Sequence, residues 1–162
     1  MDSTAFSAEE HFRRGSDALD AGEHASALED FRAAARLDSA NATYRSYLGL
    51  ATGLVERRLD RALELCREAA REEFFNPGHY LNLARLHLAF GFKSEAVRLL
   101  RRGLMIDPSN QQIVSAMSGL GVRRRPPVAF LRRQHAVNRW AGRLLHKLGV
   151  DPEPAELRAF GL

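Results

Sequence analysis

The chain has 162 residues, 45% of them hydrophobic and 27% charged, with a formal net charge of +4; this suits one globular domain with a buried core. No apolar run reaches the roughly 18 residues of a membrane-spanning helix, and Met1-Asp2-Ser3-Thr4 lacks the basic start and apolar stretch of a secretory leader. A lone cysteine, Cys66, excludes an internal disulfide and suits a reducing interior, so the expected compartment is the cytoplasm.

Residues 1–7 are expected to form a flexible start. Beyond them the chain repeats itself. Ala27-Leu28-Glu29-Asp30-Phe31, Ala62-Leu63-Glu64-Leu65-Cys66 and Ala96-Val97-Arg98-Leu99-Leu100 align, with their alanines 35 and 34 residues apart. Three residues past each segment stands another small residue: Ala34, Ala69 and Gly103. A helix-sized stretch precedes each segment and carries a small residue of its own, Gly15, Gly49 or Ala84.

Close helix contact explains the pattern. Small residues let two helix axes approach where they cross, and a larger side chain there overpacks the contact. The spacing therefore predicts three helical hairpins, at about residues 8–41, 42–75 and 76–109. Ala21-Gly22-Glu23 and Phe90-Gly91-Phe92 supply turns, with glycine as a left-handed cap. The second hairpin is one residue longer, between Gly53 and Arg61. Asn76-Pro77 and Asp107-Pro108 interrupt helices, because proline lacks the amide donor and disfavours a helical predecessor. Residues 110–120 read as a closing helix with Ile113, Ala116, Met117 and Leu120 on one stripe, covering the last hairpin.

These residues resemble the tetratricopeptide repeat, a 34-residue pattern of aromatic-x-x-Leu-Gly-x-x-Tyr, then Ala-x-x-x-Phe, then Pro. The third repeat fits it through Tyr80, Leu83, Ala84, His87, Ala96, Leu100 and Pro108. The first keeps Gly15, Ala27, Phe31 and Ala34 but has His11 and Ser39 for the aromatic and the proline. The second keeps Leu48, Gly49, Ala62 and Ala69, and departs at Cys66 and Phe74. The resemblance spans residues 8–108 and implies an all-α solenoid of three hairpins plus the closing helix.

The resemblance also implies a groove lined by the first helix of each hairpin. Its expected positions here are Phe12, Ser16 and Leu19, then Ser46 and Leu50, then Leu81, Arg85 and Leu88. Chaperone-binding members use Lys and Asn at such places to clamp a peptide's terminal carboxylate; that set is missing. A mostly apolar groove implies a helical or extended apolar protein segment as partner, and left open it also admits a second copy of the chain. The same leucines could instead be core, or be covered by the chain's own C-terminal segment.

That segment is distinctive. Residues 109–150 carry eight basic residues, Arg123, Arg124, Arg125, Arg132, Arg133, Arg139, Arg143 and Lys147, and no acid. Pro126-Pro127 forms an elbow within residues 121–149, after which Val137, Trp140, Ala141, Leu144 and Leu148 recur at helical spacing. This predicts a C-terminal amphipathic helix, followed by a tail over residues 150–162. The helix could pack on the repeats, or meet an anionic membrane surface or an acidic partner at roughly 1 kcal/mol per basic residue. Nucleic acid is the weaker partner, since no recognised motif or interleaved aromatics accompany the arginines.

No phosphate loop, nucleophile elbow or Cys-x-x-Cys pair occurs, and the six histidines are scattered away from metal-ligand spacing. Cys66 falls on an interior repeat position and reads as a structural thiol. The expected role is that of a non-catalytic adaptor or scaffold with no cofactor and no metal. A peripheral membrane or polyanion-binding protein is the alternative, and a secretion chaperone a second one, similar in length and repeat number but without an arginine-rich tail. Arginine outnumbers lysine 22 to 2, from which a GC-rich, bacterial source is expected.

Overall fold

A computed structural model describes residues 6–120 of the chain. Among these residues there are seven helices and no strand: α1 (Ala8–Asp20), α2 (His24–Leu37), α3 (Ala42–Glu56), α4 (Leu59–Glu72), α5 (Pro77–Ala89), α6 (Lys93–Ile106) and α7 (Gln111–Gly119). The chain divides into two compact units, residues 1–114 and 115–162. The proline elbow, the amphipathic helix, the eight basic residues and the tail all lie outside the described residues.

The helices begin in two different ways, and the sequence says why. Each hairpin's first helix has a polar side chain as its cap. Ser7 and Glu10 close a reciprocal capping box on α1, Asn41 accepts from the Tyr44 amide at 3.2 Å, and Asn76 accepts from the Gly78 amide at 3.0 Å with Pro77 opening α5. Asn110 does the same for α7, accepting from the Ile113 amide at 3.2 Å. The second helices α2, α4 and α6 have no side-chain cap. They start instead from a tight left-handed turn at Gly22 (φ 79°), Arg57 (φ 57°) and Gly91 (φ 83°). These three residues each stand five before the crossing alanine. Arg57 takes a conformation that favours glycine, and its guanidinium lies 4.4 Å from the centre of the Phe90 ring while donating to the Ala89 carbonyl. The extra residue of the second hairpin falls within α3, upstream of this turn.

Packing follows the repeat. α1 lies on α2, α3 on α4 and α5 on α6, and the hairpins join through α2 on α3 and through α3 and α4 on α5. Ala27, Ala62 and Ala96 are all fully buried, as are Ala34 and Ala69. A Cβ on Gly15 would lie 2.7 Å from the Phe31 ring, and one on Gly49 would lie 2.7 Å from the Cys66 sulfur and 2.9 Å from the Ala62 carbonyl. Gly53 presses on Leu86, and Gly103 on Ile113. The crossing points therefore tolerate nothing larger than they hold.

Candidate functional site

The first helices α1, α3 and α5 do not present the groove as a continuous apolar strip. Of the eight expected positions, Phe12, Ser16, Leu19, Arg85 and Leu88 are half-buried and reachable, whereas Ser46, Leu50 and Leu81 are 0%, 0% and 1% exposed. This corrects the sequence-based expectation for those three. α3 is packed by α2, α4 and α5, and α5 by α3, α4 and α6, so few of their faces remain open. Leu50 belongs to a core cluster with Ala62, Leu63, Cys66, Leu83 and Leu86.

Ser46 has a structural partner instead of a ligand. Its hydroxyl accepts from the Asn82 amide at 3.1 Å, and its carbonyl accepts from the Cys66 thiol at 3.2 Å. The Oδ1 of Asn82 is buried and has no hydrogen-bond partner among the described residues. Burial pushes the Cys66 thiol pKa up to about 12, against a smaller lowering by the Ser46 hydrogen bond.

Around the reachable positions the surface is aromatic. Phe12 lies 5.0 Å from both Tyr44 and Tyr47, ring centre to ring centre, and 5.7 Å from Phe31. All the rings but Phe31 are half-buried, so each shows an edge to solvent. Leu19 packs from the side against both core clusters. The Ser16 hydroxyl is used locally, donating to the Phe12 carbonyl at 2.9 Å. Burial raises the Tyr47 pKa; Arg85 opposes that and Asp20 adds to it, so both charges lie close to this phenol. The open site is thus a short aromatic and aliphatic face, Phe12, Leu19, Tyr44 and Tyr47, with Asp20 and Arg85 near Tyr47; Leu88 is half-buried one turn beyond Arg85 on α5.

Tyr47 and Asn82 were not among the expected groove residues, and a signal for them exists. Each stands two residues before the small residue of its first helix, as Arg13 does in the first repeat. Counting to that place identifies a third line of side chains along the same helices. Among the described residues no cluster of His, Cys, Asp and Glu is arranged to hold a metal ion, and no helix is long and apolar enough to cross a membrane.

No protein-family model matches the sequence, and no curated protein is significantly similar to it. Solved structures do match. The chain is similar to the Arabidopsis OM64 TPR domain (24% identity, TM-score 0.54, covering 70% of this chain and 93% of that one). It is similar to the first TPR of Spaghetti (RPAP3) bound to the HSP90 peptide SRMEEVD (16% identity, TM-score 0.54, 70% and 89% covered). It is also similar to the second TPR domain of human RPAP3 in complex with the HSP70 peptide SGPTIEEVD (21% identity, TM-score 0.52, 70% and 93% covered). With its three capped hairpins crossing at small residues in 34- to 35-residue register, the chain has the all-α solenoid fold of the tetratricopeptide-repeat proteins.

Proposed function

We propose that this chain is a non-catalytic protein-interaction module whose open aromatic face on α1, α3 and α5 takes a helical or extended apolar segment of a partner protein. The observation that carries this reading is the half-exposed cluster of Phe12, Tyr44 and Tyr47 next to Leu19. Ring edges held rigidly by a packed scaffold give large contact area at small entropic cost, which is what a docking apolar side chain needs. The two RPAP3 domains support the class of role, since each holds a peptide. They do not predict the ligand. Their peptides end in acidic residues, whereas the corresponding face here offers Phe12, Ser16, Leu19 and Leu88 with Arg85 as the one cation of the eight positions.

Selection from a displayed library of random peptides tests this. Enriched sequences are expected to carry apolar side chains at i, i+3, i+4 and i+7, or alternating along an extended segment, and to lose binding about 30-fold to a Leu19→Glu, Leu88→Glu variant. Leu19 packs against both core clusters, so the double variant is expected to melt below the parent, and the single Leu88→Glu variant, half-buried outside those clusters and expected to melt like the parent, must weaken binding as well. Enrichment of peptides ending in acidic residues, or binding that ignores the double variant, contradicts the proposal.

A further inference from the structure

A second concavity lies away from the aromatic face, between α4 and α6 over α5. Its volume is about 460 Å³. Arg67 and Arg71, one turn apart on α4, line one wall, and Arg98 and Arg102, one turn apart on α6, line the other. Tyr80, Leu83 and Leu99 make its floor. The lining contains a single carboxylate, Glu95, which pairs with Arg98 at 3.5 Å.

The repeat supplies an internal control. Counted from the crossing alanine, Arg67 and Arg71 stand at +5 and +9, and Arg32 and Arg36 hold the same places in the first repeat. Arg98 and Arg102 stand at +2 and +6, where α4 instead has Glu64 and Glu68. By register the first seam brings arginines of α2 toward glutamates of α4, and there Arg32 is paired, with Glu29 at 2.6 Å and Glu56 at 2.9 Å, whereas the second seam sets arginine against arginine. Two like-charged ladders on facing helices gain nothing for the fold. Among the described residues neither Arg67 nor Arg71 has an ion-pair partner, and Arg102 rests over the Tyr80 ring at 5.2 Å. One further group is unmatched. The Nδ1 of His87, on the same face of α5, is buried with no hydrogen-bond partner among the described residues.

We propose that this cavity is a binding site for a phosphate ester with an apolar or aromatic body. The phosphate sits between the two arginine ladders, and the body lies on Tyr80, Leu83 and Leu99. Four guanidiniums against one carboxylate leave more positive charge than a single carboxylate ligand could match. A phosphate brings nearly two charges and three acceptor oxygens, and guanidinium forks bind it in pairs. The volume falls within the range of small-molecule sites, and the apolar floor gives the body of an ester a reason to prefer the cavity over water. His87 also lines the cavity, so its ring reports on occupancy. Burial is the main reason its pKa is lowered, with Arg67 and Arg98 adding to this and Glu95 opposing.

The test is titration of the whole chain with phenyl phosphate at fixed ionic strength, followed by calorimetry and by the His87 ring signals in NMR. Inorganic phosphate and phenol serve as separate arms. Phenyl phosphate is expected to bind saturably, at least about tenfold tighter than either component, and to shift His87. The Arg67→Gln, Arg71→Gln variant is expected to weaken it about tenfold or more, while Arg36→Gln, the equivalent place in the first repeat, leaves it unchanged. Three results overturn the proposal: no saturation by about 10 mM, equal affinity for phenyl phosphate and inorganic phosphate, or equal weakening by Arg36→Gln. Tighter binding of an oligoglutamate peptide than of phenyl phosphate overturns it as well, in favour of an acidic protein segment.

Discussion

Asn82 on α5 donates to the Ser46 hydroxyl on α3 at 3.1 Å, with both side chains fully buried, so a polar bond ties the second and third hairpins together inside an otherwise apolar seam. Ser46→Ala removes the acceptor and leaves a buried amide unpaired, which costs about 1–3 kcal/mol. Replacing both partners, Ser46→Ala with Asn82→Leu, removes the polar demand and is expected to cost less than the two single changes added together. Urea unfolding of the four proteins in a double-mutant cycle measures the coupling.

The crossing glycines make a sharper expectation. Gly49→Ala forces a methyl against the Cys66 sulfur and the Ala62 carbonyl, one of which is backbone and cannot swing aside. The expected loss is about 1–3 kcal/mol, although alanine is the better helix former. Gly119→Ala, where none of the described residues lies within 4 Å, is the control and is expected to be neutral or slightly stabilising. Thermal melting of the two variants distinguishes overpacking from helix propensity.

Cys66 gives a pH signature. The folded thiol holds its proton up to about 12, while the reference thiol loses it at 9.0. The folded state therefore binds more protons between those values, and this group's stabilisation is complete below pH 9 and falls away as pH rises toward 12. Cys66→Ala is expected to flatten that part of the stability curve, read by chemical unfolding at pH 8 and pH 10.5. At pH 7 the native thiol is expected to react with a disulfide reagent about a thousandfold more slowly than after unfolding.

An acidic C-terminal peptide of the SRMEEVD kind is expected to bind more weakly than about 100 µM at the aromatic face, because Phe12 and Ser16 offer it no cation. Fluorescence anisotropy of the labelled peptide, with and without the Leu19→Glu, Leu88→Glu change, measures this directly.

Much of the fold was legible because helix crossings impose a local rule. Only a small residue fits at Gly15 and Gly49, where Phe31 and Cys66 press in, and the fully buried Ala27, Ala62 and Ala96 recur in the same register. The left-handed turns at Gly22 and Gly91 were legible for a similar reason, and the same turn at Arg57 was not, because arginine carries no conformational signature. Burial of the groove positions was not legible in the same way. Phe12, Leu19 and Leu88 stay half-buried, but Leu50 is enclosed by how closely α5 stacks on α3, a distance that no single helix encodes. The arginine cavity needs the same non-local knowledge. Nothing in α4 or α6 alone says that their ladders share a wall.

The aromatic face is tested most directly by placing a photo-crosslinking amino acid at Leu19 and, separately, at Leu88 in cells of the native source, with exposed Met105 as the control position. Leu19 and Leu88 are both expected to capture one apolar stretch of a second protein, and Met105 is not. Adducts confined to this chain's own residues 121–162, or the same adducts at all three positions, contradict it.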